Sequence, residues 1–132
     1  MPSFIHRLTT PKTCTGANTV LATLPLPAGS YIVTAKAEMR GFTGESAVCQ
    51  ARLVVGSDED SALRKLAGPG LADDIHPIHL KVGANLATAS SAQFIITMAS
   101  FRGSAQGVVM TADLIPTLSI TEAEGDPLPP EN

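Results

Sequence analysis

Tryptophan is absent from the 132-residue chain, and one tyrosine and four phenylalanines are all its aromatic residues. Platforms for stacking bases or sugar rings are therefore scarce. Basic residues are few as well: nine Lys and Arg stand against twelve Asp and Glu, singly placed except at Arg64-Lys65. With no basic stripe to neutralise phosphates, the sequence argues against a nucleic-acid partner. Cysteine occurs twice, at Cys14 and Cys49, enough for one crosslink and far from a disulfide scaffold. No run approaches the roughly 18 apolar residues that span a bilayer, and the opening MPSFIHRLTTPKTCTG lacks the charged and apolar regions of a leader. The expectation is a chain with neither signal peptide nor transmembrane segment, and with no membrane partner.

What is present is enough apolar material for one core. Hydrophobic residues make up 44% and charged residues 16%, a balance that folds rather than staying disordered, and the length suits a single domain. The apolar residues recur with period two, as only an extended chain projects onto one face. Between Ser30 and Arg40, Tyr31, Val33, Ala35, Ala37 and Met39 alternate with polar residues, with Ile32 the single misfit. Ahead of them Leu24-Pro25-Leu26-Pro27-Ala28-Gly29 reads as a turn. Ala47, Cys49, Ala51, Leu53 and Val55 form a second run beyond the glycines of Gly41-Phe42-Thr43-Gly44, and the two runs are expected to pair as a hairpin. Gly56 to Asp74 reads as a long loop with room for one helical turn. Alternation resumes at Ile78, Leu80 and Val82, at Phe94, Ile96 and Met98, and at Val108 to Leu114. Phe4 to Leu8, Thr19 to Thr23 and Leu118 to Ile120 add shorter candidates. The total is about eight strands, predicting an all-β, antiparallel β-sandwich. The organisation expected is an N-terminal arm with a short strand (1–18), the sandwich (19–120) and an acidic, Pro-rich tail (121–132). The tail carries Glu122, Glu124, Asp126 and Glu131 and no base, and without these four acids the formal charge of -3 becomes +1.

Motifs that carry chemistry are wanting. Gly103-Ser104-Ala105-Gln106-Gly107 lacks the G-x-S-x-G spacing of a nucleophile elbow and reads as a hairpin loop. His76 and His79 would face opposite sides of a strand, which argues against a shared metal. Asp58, Glu59, Asp60, Asp73 and Asp74 lack the D-x-D-x-D-G spacing of a calcium loop. GxGxxG, Walker, CxxC and HExxH motifs are missing. Cys14 and Cys49 read as buried small hydrophobes or one crosslink. The expectation is a protein that is not an enzyme and has no cofactor or metal.

Pro27-Ala28-Gly29-Ser30-Tyr31-Ile32-Val33 resembles the turn and core strand of C1q/TNF-like jelly-roll domains, with Gly29 turning the chain and Tyr31 opening the strand. Ala105 to Ile115 is similar to their closing strand. The opening also resembles small β-sandwich domains of actinobacteria and their phages, which carry a Cys in the next strand, matched by Cys49. Those domains often have a partner Cys in a later strand, and Phe94 to Met98 supplies none. The resemblance implies a jelly roll packed as a homotrimer. Ile32, Val48, Val54, Ile95 and Phe101 are more outward apolar residues than one wet face needs, so they serve either such packing or ordinary edges and loops.

A β-sandwich without chemistry, and without the stalk that fibre-tip domains follow, is expected to be a virion structural protein assembled in the host cytoplasm. The reading placed first is a phage capsid decoration protein, binding the major capsid protein or another virion component as a homotrimer. Phe4, Ile5, Leu8 and Leu128 are its candidate contacts. The alternatives are a tail-fibre or baseplate receptor-binding module acting through loops such as Gly56 to Asp74, or a secreted actinobacterial adhesion domain.

Overall fold

The computed structural model describes residues 3–15, 18–41, 48–65, 75–98, 102–116 and 118–119. These contain nine strands and no helix: β1 (Ser3–Arg7), β2 (Lys12–Thr15), β3 (Thr19–Leu26), β4 (Gly29–Gly41), β5 (Val48–Val55), β6 (Asp58–Lys65), β7 (Ile75–Leu86), β8 (Ser90–Met98) and β9 (Arg102–Ile115). One sheet has the order β1-β9-β4-β7, with β2 also on β9, and the other has the order β3-β8-β5-β6. All the pairings are antiparallel. With β2 set aside, β1 pairs β9, β3 pairs β8, β4 pairs β7 and β5 pairs β6. Four nested pairs of this kind are one long hairpin rolled into two layers, the topology of a jelly roll.

The period-two residues of the sequence fill the space between the layers. Tyr31, Val33 and Met39 of β4 meet Leu53 and Val55 of β5, Phe94 and Ile96 of β8 and Met110 of β9 in a single core cluster. No polar or charged residue is buried there among the described residues. The misfit Ile32 points outward and is half-buried. Leu118 accounts for that cover: a Cβ built on Gly83 would lie 3.2 Å from Leu118 Cδ2 and 3.6 Å from Ile32 Cδ1. Leu118 and Ser119, expected to be strand, are not; they belong to the chain folded back over this face after β9.

Four further expectations are corrected. β4 and β5 do not pair, because each buries its apolar side from a different sheet, and sandwich connections cross between layers. Gly56 to Lys65 is not loop but a two-residue turn, Gly56-Ser57, followed by β6, with Val55 opposite Asp58. β6 pairs only with β5, and its run of charges suits such an edge while hiding its strand character. β3 runs through Pro25 to Leu26, since on an edge strand proline's missing N–H faces away from the neighbour. Gly103 to Gly107 lies within β9. Gly107, at φ +61°, sits at a bulge where β9 spends two residues against one of β4.

Candidate functional site

The N-terminal strands close one side of the sandwich. Phe4 and Leu8 pack on the core, and the Phe4 ring lies 6.3 Å from that of Tyr31 at 60°. Tyr31 donates its hydroxyl to the Pro27 carbonyl at 2.8 Å, which ties the β3–β4 turn to the strand it opens. Gly29 in that turn has φ +153°, and a Cβ there would meet Leu114 Cδ1 at 2.7 Å. Of the expected partner contacts, then, Phe4 and Leu8 face inward, Ile5 is 55% exposed, and Leu128 lies outside the described residues. Beside Phe4 an apolar notch of about 380 Å³ is lined by Pro25, Leu26, Pro27, Ala89 and Ser90.

Two side-chain stitches close the gaps between the layers. At the β1/β3 side, His6 Nδ1 lies 3.0 Å from the Thr23 carbonyl and 3.1 Å from the Thr23 N–H, and Lys12 Nζ donates to the Val20 carbonyl at 3.1 Å. At the β6/β7 side, the Lys81 N–H donates to Asp60 Oδ2 at 3.0 Å. Each stitch occupies backbone groups that an edge strand otherwise offers to another chain.

The outward apolar residues divide between the layers. Ile32 is on the outer face of the first sheet, whereas Val48, Val54 and Ile95 are on that of the second; Phe101 lies outside the described residues. The register on the second face puts Val20, Ile95, Arg52 and Ser61 in one row. Ile95 is 8% exposed yet stands apart from the core cluster. Arg52 Nε is buried without a hydrogen-bond partner, and its Nη1 lies 4.0 Å from Glu59 Oε1. Leu63, at 64%, is the most exposed large apolar residue among those described, ahead of Ile5 on the other sheet, and on this face Val20 and Val48 follow at 38% and 37%. Leu63 escaped the sequence reading because β6 did.

The first sheet's outer face carries charge instead. Register sets Arg7 opposite Val109, Val109 opposite Lys36, and Lys36 opposite His79, with Lys81 one outward step further along β7. Arg7, Lys36, His79 and Lys81 are all exposed. The acids of the same face are engaged: Asp113 accepts from Ser3 at 2.7 Å and Glu38 from Gln106 at 3.1 Å. Next to the Gly107 bulge a depression of about 460 Å³ is lined by Lys36, Glu38, Pro77, His79 and Val109. Bases that stand singly in the sequence are thus gathered by strand register.

Both thiols are free and buried. Burial, reinforced by Cys49 and opposed by Lys12, pushes the Cys14 thiol up to about 11. Burial also pushes Cys49 up, against the pull of Arg64. Among the described residues no three His, Cys, Asp or Glu side chains gather as a metal ion requires. His76 and His79 share β7 at opposite parity.

No known protein family and no curated protein sequence matches the chain. Among solved structures it is similar to a chain of the T13 particle of infectious bursal disease virus, with a TM-score of 0.60 and 12% identity over 86% of this chain and 31% of that one. It is also similar to a mutant VP2 protein of that virus in T=1 particles, with a TM-score of 0.56 and 14% identity over 85% of this chain and 32% of that one. The chain thus spans about a third of the viral chains it matches. At such identity the likeness is one of fold, and the class it defines is the jelly-roll β-sandwich.

Proposed function

We propose that the protein is a non-enzymatic structural component of a virus particle, and that it decorates an assembled phage capsid as a homotrimer. The observation that carries this reading is the nested strand pairing, β1 with β9 inward to β5 with β6. Jelly rolls of this kind build viral shells and lectins, and the two solved structures compared above are parts of viral particles. The second sheet's outer face supports the reading further. There Ile95 stands opposite Arg52, whose Nε is buried and unpartnered, with Val54 one outward step along its strand and Leu63 one step beyond its partner Ser61, and arginine among apolar neighbours is a frequent anchor of protein interfaces. Ile5 and the segment around Leu128 are the contacts proposed for the capsid. Phe4 and Leu8, turned inward, would act by holding β1 in place.

The test is to mix the protein with undecorated capsids and sediment them. Co-sedimentation at a fixed number of copies per shell is the expected result. No binding by the intact protein, with adsorption to whole bacterial cells instead, would replace this reading by the receptor-binding module. That alternative now has less loop to work with, since Asp58–Lys65 is strand.

A further inference from the structure

The geometry points to the depression of about 460 Å³ on the outer face of the first sheet as a binding site for a neutral saccharide. Three observations carry the inference. First, the hollow is opened by an irregularity built into the ladder. Glu38 stands opposite Gln106 and Lys36 opposite Val109, so Ala37 faces both Gly107 and Val108. Gly107 is exposed at φ +61°, and a Cβ there would meet nothing within 4 Å. β9 thus spends an extra residue, one without a side chain, where the face is hollow, and bulges recur beside functional sites. The volume falls within the roughly 300–1,000 Å³ of small-molecule sites.

Second, the polar groups around the hollow select the ligand's charge. Lys36 pairs with His79 in one row and Glu38 with Pro77 in the next, and all four are exposed. Gln106 Nε2 donates to Glu38 Oε2 at 3.1 Å, which holds the carboxylate and leaves its other oxygen to accept. Among the described residues the side chains of Lys36 and His79 have no hydrogen-bond or ion-pair partner. A phosphate or carboxylate would satisfy Lys36 but meet the charge of Glu38 about 7 Å along the strand, and a cation would meet the reverse. A hydroxyl donates and accepts at once, so a ligand with several hydroxyls satisfies the ammonium, the carboxylate and the imidazole together. Third, Pro77 on β7 and Val109 on β9 flank β4 from either side and offer apolar contact to the C–H face of a ring. An uncharged sugar combines that face with a rim of hydroxyls. None of the lining residues is aromatic, so the expected Kd is on the order of 1 mM. The site lies on β4 and β7, whereas Ile5 belongs to β1 at the other edge of the sheet, and the inference stands whether or not the protein binds capsids.

The experiment titrates the ¹⁵N-labelled full chain with maltotriose, cellotriose and mannotriose, each to tens of millimolar, and separately with inorganic phosphate, and follows the amide signals. The expected result is a saturable shift at Lys36, Glu38, His79 and Gly107 with at least one trisaccharide. Lys36→Ala and Glu38→Ala, both at exposed positions, should each weaken that binding several-fold while the sheet's other signals stay in place. Glu38→Lys should abolish it and let phosphate shift the same amides. Absence of a saturable shift with all three trisaccharides would overturn the proposal. So would phosphate binding these residues of the unaltered protein more tightly than any of the sugars, which would make the hollow an anion site, or saccharide shifts that persist unchanged in both alanine variants.

Discussion

Gly29 and Gly107 both lie at positive φ, and they differ in what surrounds them. A Cβ on Gly29 would collide with Leu114 Cδ1, whereas one on Gly107 meets nothing within 4 Å. Gly107→Ala should cost about 1 kcal/mol, the backbone penalty alone, and Gly29→Ala about 2–3 kcal/mol once displacement of Leu114 is added; urea unfolding of the two variants measures the difference. Tyr31→Phe removes the donor to Pro27 and should cost about 1 kcal/mol. The buried thiols make a further prediction. Because their folded pKa values are raised, the folded state holds its protons more tightly than the unfolded chain. Their contribution to stability is complete below the ordinary thiol value of 9.0 and is lost as pH climbs above it, through about 11 for Cys14. The urea midpoint should fall across that alkaline window more steeply in the wild type than in Cys14→Ala/Cys49→Ala, and thiol reagents should leave the native protein unlabelled near neutral pH.

Among the elements, those with one wet and one dry face were legible and those at the margins were not. β4, β5, β8 and most of β9 follow their alternating residues, because burial on one side enforces period two. β6 is invisible in Asp58-Glu59-Asp60-Ser61: an edge strand that carries charge on its exposed side and on its half-buried side alike leaves no apolar run to read. Pro25 misled in the opposite direction, since proline marks a turn in the sequence although a strand's free edge tolerates it. Nor does alternation say which strands are neighbours, and so the partnership of β4 with β7 and β9, like the row of Lys36 and His79 it creates, emerges only from the register. Asp60 illustrates what the margins do. Asp60→Ala leaves the Lys81 N–H without its acceptor, and should cost about 1–2 kcal/mol and speed hydrogen exchange at Lys81 far more than at Val33 in the sheet's interior.

For the whole molecule the decisive quantity is mass in solution. The proposed trimer corresponds to three times 13.6 kDa, and light scattering over a dilution series should return that value unchanged. Leu63→Glu on the second sheet should lower it if that face is the packing surface, and leave it unchanged if Ile5 and the first sheet are. The two outer faces make opposite predictions because one is apolar around Arg52 and the other is charged around Lys36. A stable monomer would move weight to a monovalent binding module.

The nested pairing also has a consequence in time. Ser3 and Asp113, joined by a hydrogen bond, are 110 positions apart in the chain, and β9 is an interior strand of its sheet, flanked by β1 and β4. During synthesis β5 and β6 can meet as soon as both are made, but the first sheet has a vacant central place until residue 115 leaves the ribosome. Closing so long a loop is slow, and until it closes β1 and β4 expose unpaired edges. Folding should therefore be completed late and in one step, with the hairpin of β5 and β6 protected first and β1 last in pulse-labelled hydrogen exchange.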